Sequence, residues 1–279
     1  MDKEAFKEYL SEGFRNKYSE NTIKNYVKFA SLCVGSSDNA GAIRACRTHL
    51  ERMIGQGVSI GTLSPYRAAC SLFLASIGHP LSAIEEALPS LSGARKSNIR
   101  DALNSEDLRE YTEKAESVKS LVVSTILLLL PKSGLRISEM CNLKYSNIRV
   151  IDGKYRLYIE KAKGDKKRVV PLGKSGTEIL KKYVDSIKSN KDSDDYLFPG
   201  KADKTPIGAG TIRKVTRGLG IEDLSPHVLR HTYATSLLRE GVALKDLQTI
   251  LGHEDLKTTQ RYLHPTEDDL SMSINKTSM

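Results

Sequence analysis

Residues 145–172 read YSNIRVIDGKYRLYIEKAKGDKKRVVPL, and here an otherwise helical pattern changes its period. Three runs alternate between apolar and polar residues, Tyr145–Val150, Lys154–Glu160 and Arg168–Leu172, as half-buried strands do. Between them, Asp152-Gly153 and Gly164-Asp165 supply the residue types that tolerate the positive φ of tight hairpin turns. The stretch predicts a small antiparallel meander. Helical patterns flank it on both sides. Ser105 is placed to cap a helix carrying Leu108 and Tyr111, a buried helix follows to Lys132, and after Gly134 another covers Ile137–Leu143. Beyond Lys174 helices resume and run through Tyr262.

Further out, residues 1–91 read as helices joined by short turns. In 21–34, Ile23, Tyr26, Val27, Ala30 and Val34 recur at helical spacing. Asp38–Ile54 starts on a capping residue and stops at Gly55. A further helix over Gly61–Ile77 ends before Gly78, His79 and Pro80, with Pro65 expected in its first turn. From Pro89 to Asn104 the chain turns polar and basic, so residues 92–104 read as a linker; a surface loop within one domain is the alternative. The fold class expected is mainly α: a helical unit over 1–91, then a mixed helical unit over 105–279 with one small antiparallel sheet.

The 279 residues carry a formal charge of +9, which points to a polyanionic partner, nucleic acid first. Hydrophobic residues at 39% beside 28% charged ones fit a folded chain rather than a disordered one. Cys33, Cys46, Cys70 and Cys141 form no CxxC pair, which argues against a zinc site or disulfide framework and for a reducing, cytoplasmic setting. The N-terminal MDKEAFKEYLSEGF has no apolar signal region. Leu121–Leu130, the longest apolar stretch, has about half the ~20 residues that span a bilayer. It reads as a core helix, and no membrane partner is expected. With no GxxxxGK[ST] motif and no dense carboxylate cluster, no nucleotide, metal or other cofactor is expected either.

Four short stretches concentrate unusual polar residues: SGLRISE around Arg136, the hairpin Lys161–Arg168 around Lys163, SPHVLRH with His227 and Arg230, and LGH at 251–253 followed by Tyr262. Each alone has an ordinary explanation. Arg136 fits a surface arginine, Lys163 a solvated basic hairpin, and His227 and Arg230 the capped helix start after Pro226. His253 fits a helix end, and Tyr262, one of 12 tyrosines, fits amphipathic packing.

Together, GLRISE, KAKG, HVLRH and LGHEDLKTTQRYLH stand in an order and spacing that resemble the tyrosine recombinase (integrase) family. The resemblance spans Ser105 to Pro265, and SENTIKNYVKF at 19–29 is similar to that family's helical core-binding domain. It implies that 1–91 is a DNA clamp and 105–279 a catalytic domain. It also implies catalytic roles for Arg136, Lys163, His227, Arg230 and His253, with Tyr262 as nucleophile and Glu139 as supporting carboxylate. Tyr233, in a core helix with Leu229 and Leu237, reads as packing; His231 and His264 read as structural.

The implied partner is double-stranded DNA, contacted through the linker residues Arg95, Lys96 and Arg100 and the hairpin residues Lys161, Lys166, Lys167 and Arg168. The family's C-terminal segment docks on a neighbouring protomer, which implies a tetramer on paired sites, here through Leu270, Met272 and Ile274. A partner recombinase is possible within that scheme. With no further domain before the clamp, the layout is similar to Xer-type recombinases, which implies resolution of chromosome or plasmid multimers. A mobile-element integrase, a type IB topoisomerase and a non-catalytic DNA-binding regulator are the alternatives.

The chemistry asks for these residue types. A tyrosine hydroxyl, with a pKa near 10, is a weak nucleophile at neutral pH without help. Attack on a phosphodiester gathers charge on the non-bridging oxygens, which fork-shaped, always-protonated arginines match better than lysines. The departing 5′ oxygen needs a proton, the role the resemblance implies for Lys163.

Overall fold

The structure, a computed structural model, describes residues 3–13, 17–31, 39–95, 102–160, 167–187, 192–201 and 204–252. The chain divides into two compact units, Met1–Asn98 and Ile99–Met279.

The first unit holds helices α1 (Lys3–Gly13), α2 (Glu20–Ala30), α3 (Asn39–Gly55), α4 (Ile60–Ser76) and α5 (Leu81–Ala87). Ser19 caps α2 by accepting the Thr22 N–H at 3.2 Å, and Ile23, Tyr26, Val27 and Ala30 face the core. Helix α4 starts one residue before the position the sequence predicts, and Pro65 sits inside it, beyond the first turn. The helix continues because Leu63, Ala69, Cys70, Phe73 and Leu74 are buried along it, which offsets the missing hydrogen bond to Gly61. The basic segment expected as a linker is docked at both described ends. Leu91 and Ala94 pack on this core and the Arg95 carbonyl accepts the Ile60 N–H at 2.8 Å, while Leu103 is buried in the second unit.

The second unit is mainly helical with one small sheet: α6 (Ser105–Glu116), α7 (Leu121–Ser133), α8 (Ile137–Cys141), β1 (Ile148–Ile151), β2 (Lys154–Ile159), β3 (Arg168–Pro171), α9 (Lys174–Ser186), α10 (Ala209–Gly218), α11 (Pro226–Arg239) and α12 (Leu244–Leu251). Asn104, not Ser105, caps α6, accepting the Asp107 N–H at 2.8 Å. Helix α7 is buried nearly all round and contains Pro131, whose missing N–H frees the Leu127 carbonyl. The buried Tyr111 hydroxyl donates to that carbonyl at 2.7 Å, so the interior proline leaves no unpaired acceptor there. Among the described residues no helix is long and apolar enough to cross a membrane.

The sheet has the order β1-β2-β3, antiparallel throughout. Asp152 and Gly153 both take positive φ, +52° and +70°, which makes the β1–β2 connection a primed turn. Tyr145–Asn147 forms a 3-10 turn rather than strand, because the Tyr145 and Ser146 N–H groups reach the carbonyls of Asp195 and Ser193. In β2, Tyr155, Leu157 and Ile159 point into the core, and in β3 Arg168 and Val170 do. Gly164-Asp165, the apolar tail residues Leu270, Met272 and Ile274, and His264 lie outside the described residues.

Candidate functional site

Arg136 is the residue that starts α8. Helix α7 ends at Gly134, whose φ of +61° turns the chain, and an added Cβ there would collide with the Tyr233 ring. Tyr233 is half-buried, and its hydroxyl pKa is pushed up to about 12 by burial first and the charge of Glu240 second, as suits a packing residue. The Arg136 N–H donates to Glu139 Oε2 at 2.8 Å, so the helix start itself fixes both residues. Arg136 Nη1 donates to Glu139 Oε1 at 2.8 Å and Nη2 to the Gly252 carbonyl at 3.0 Å. Its side chain remains 31% exposed.

Helix α11 supplies the second pair. Ser225 caps it by accepting the Val228 N–H at 3.3 Å, and Pro226 occupies the first turn where its missing N–H costs nothing. Three-residue spacing places His227 and Arg230 on one side of the helix. Arg230 is buried: Nη1 donates to the Gly134 carbonyl at 2.8 Å and Nη2 to the Leu251 carbonyl at 2.7 Å, with Glu139 Oε2 3.9 Å away. His227 lies outermost, exposed to solvent. Its pKa is held below the ordinary histidine value by desolvation first, then by the positive charges of Arg230, Arg213 and Arg136. At neutral pH the ring is therefore uncharged and able to accept a proton.

Arg168 corrects an expectation. The sequence places it among DNA contacts, but its side chain is 4% exposed. Nη1 and Nη2 donate to the two oxygens of Glu139 at 3.0 and 2.7 Å, and Nε donates to the Ile250 carbonyl at 2.8 Å. The guanidinium faces inward because it shares the face of β3 that carries Val170. Glu139, 6% exposed, thus lies among Arg136, Arg168 and Arg230. Burial would raise its pKa, but the hydrogen bond and charge of Arg168 and the hydrogen bonds from Arg136 outweigh it and hold the carboxyl below the usual glutamate range.

The structure therefore brings together Arg136, Glu139, His227 and Arg230, the sequence-predicted residues it describes in the second unit's site. Lys167 is exposed at the entry to β3, and Arg95 is exposed in the first unit. Lys96, Arg100, Lys161, Lys163, Lys166, His253 and Tyr262 lie outside the described residues. Sequence reasoning missed one residue here and misassigned another. Arg213 of α10 acts electrostatically on His227, and nothing marks it among surface arginines. Arg168 as a partner of Glu139 was readable from the strand alternation that also buries Val170. Chemically, the arrangement sets fixed arginines beside a histidine of lowered pKa, a combination able to meet an anion.

The profile of the phage integrase family matches residues 101–268. A tyrosine recombinase of Thermosipho africanus (strain TCF52B) is 31% identical over 99% of this chain and 100% of its own length. Tyrosine recombinase XerD of Staphylococcus aureus (strain Mu50 / ATCC 700699) is 32% identical over 64% of this chain and 62% of its own. Among solved structures, the crystal structure of XerA recombinase aligns with a TM-score of 0.56 at 26% identity, over 99% of this chain and 98% of that one. The Tn1549 transposon integrase in complex with circular intermediate DNA aligns at a TM-score of 0.69 and 17% identity, over 99% of each chain, a likeness of fold.

Proposed function

Because the chain belongs to the phage integrase family and its relatives are tyrosine recombinases, DNA-cleaving and rejoining enzymes, we propose that it recombines double-stranded DNA at specific sites through a 3′-phosphotyrosine intermediate on Tyr262. The observation that carries this reading is the cluster of Arg136 and Arg230 around Glu139, with a neutral His227 at its rim. In the proposed step the Tyr262 oxygen attacks phosphorus in line and His227 assists removal of its proton. The P–O5′ bond breaks, and Lys163 gives the departing 5′ oxygen a proton. Arg136, the more exposed arginine, meets the non-bridging oxygens, His253 donates to the same phosphate, and Arg230 adds charge from beneath. The phosphotyrosine ester conserves the energy of the broken phosphodiester, so a 5′ hydroxyl from a partner duplex attacks it and completes strand exchange.

The charged residues Arg95 and Lys167, with Lys96, Arg100, Lys161 and Lys166, supply phosphate-backbone contacts. The C-terminal residues Leu270, Met272 and Ile274 join protomers into a tetramer on paired sites. The resemblance to Xer-type recombinases implies a multimer-resolving role, with element integration by the same chemistry as the alternative.

The test uses a pool of nicked duplexes without metal or nucleotide, scored for a covalent protein–DNA adduct in wild type and Tyr262→Phe. An adduct lost in the variant is expected, whereas one that survives it moves the nucleophile elsewhere. Absence of any wild-type adduct despite tight binding would favour a non-catalytic regulator. A plasmid dimer carrying two copies of the selected site should then resolve to monomers; vigorous site-independent relaxation instead would indicate a topoisomerase.

A further inference from the structure

Resting on that reading of the site, we propose that Arg168 is a positioning residue. By holding both oxygens of Glu139, it keeps that carboxylate from neutralising Arg136, whose charge then remains available to the scissile phosphate. The register of the sheet delivers it: β3 pairs with β2 so that Arg168 stands opposite Ile159 on the core face. A buried arginine among apolar neighbours needs a partner, and Glu139 is placed for a two-pronged contact at 3.0 and 2.7 Å. The third prong, Nε to the Ile250 carbonyl at 2.8 Å, ties the end of α12 to the same group.

The backbone is fitted to this guanidinium. Gly252 takes a φ of +65°, and a Cβ there would come within 2.9 Å of Arg168 Nη1 and 3.0 Å of its Cδ and Cζ. The Gly252 carbonyl in turn accepts from Arg136 Nη2 at 3.0 Å. One residue therefore sets the positions of both groups that hold Arg136, namely Glu139 and the α12 terminus. The charges follow the same logic. Arg136 with Glu139 alone is a neutral pair; with Arg168 and Arg230 sharing the carboxylate, the cluster is net positive. A lysine, a single point charge, cannot span two carboxylate oxygens and a carbonyl.

The experiment compares full-length wild type, Arg168→Met, Arg168→Lys and the double variant Arg168→Met/Glu139→Gln by two readouts. The first, on the DNA-free protein, is the NMR titration of the His227 ring, which faces Arg230, Arg213 and Arg136. Arg168→Met removes one positive charge and leaves Glu139 to Arg136 and Arg230 alone, so His227 should titrate at higher pH; Arg168→Lys and the double variant should return it toward wild type. The second is adduct formation on the nicked duplex pool, which should slow roughly tenfold to hundredfold in Arg168→Met with DNA affinity retained. The double variant should be faster than Arg168→Met alone. An unmoved His227 titration with a wild-type adduct rate in Arg168→Met overturns the inference. So does a double variant no better than Arg168→Met in either readout, which would make Arg168 a packing residue only. If wild type itself forms no adduct, the functional reading fails, and the His227 titration still decides whether Arg168 offsets Glu139.

Discussion

Replacing Glu139 with glutamine tests the electrostatics of the cluster most directly. The side chain is 6% exposed and accepts from Arg168 Nη1 and Nη2, Arg136 Nη1 and the Arg136 N–H. Arg168 and Arg230, at 4% and 5% exposed, would both lose this carboxylate. Removing one member of a buried ion pair costs about 3–5 kcal/mol. Glutamine keeps one carbonyl acceptor, which sets the expected loss near the lower end, about 3 kcal/mol, or roughly 6–12 °C in melting temperature for a unit of this size. The pH dependence has a definite sign. Because the folded pKa of Glu139 lies below the usual value of 4.5, its contribution is complete above that pH and is lost as pH falls through the folded value. Calorimetry across pH should therefore find a wide gap between wild type and Glu139→Gln at neutral pH that narrows in acid. A gap under about 2 °C at pH 7, or one unchanged at pH 3, would refute the reasoning.

The remaining expectations concern the frame around the site. Gly134→Ala combines a left-handed backbone with a clash against Tyr233, so the second unit should lose about 2–4 kcal/mol in thermal unfolding. Thr232→Val removes the acceptor of the buried Leu103 N–H, a bond of 2.9 Å. It should cost about 1–3 kcal/mol, seen as faster amide exchange at Leu103; unchanged protection would count against a role in anchoring that segment. At sub-saturating DNA, where the rate reports the free enzyme, adduct formation should rise with pH and level off with a midpoint below 6.5, because desolvation and the charges of Arg230, Arg213 and Arg136 keep His227 neutral above it. A midpoint above 6.5, or a profile unchanged in His227→Gln, would remove His227 from proton transfer at Tyr262.

Local signals made much of the fold legible. Ser225 and Pro226 announce α11, and Asp152-Gly153 announces its turn, because capping and positive φ depend on a few adjacent residues. The departures come from distance. Tyr145–Asn147 looks like strand by alternation, yet its N–H groups are taken by carbonyls near residue 195, which no local pattern contains. Pro131 stays within the helix that the sequence runs to Lys132, and the reason is again remote: the Tyr111 hydroxyl from α6 occupies the carbonyl the proline frees. The site behaves similarly. Motif spacing singles out Arg136, Glu139, His227 and Arg230, while the carbonyls of Gly134, Leu251 and Gly252 that hold the arginines leave no trace in side-chain identity.

Arg168 shows how two valid sequence signals can conflict. Its neighbourhood is basic, with Lys161, Lys163, Lys166 and Lys167 close by, and basic runs usually face solvent or nucleic acid. Strand alternation says the opposite, since Val170 and Leu172 face the core and two-residue periodicity carries Arg168 with them. Periodicity prevails because a strand cannot turn one side chain outward without turning its neighbours inward. The energetic objection to burying a charge is met by Glu139, 29 residues earlier on α8. The two signals separate at Lys167, where the alternation points outward and the side chain is exposed. On the proposed reading this basic strand divides by parity: outward Lys167 is available to the DNA backbone, and inward Arg168 belongs to the machinery that holds the site's own charges.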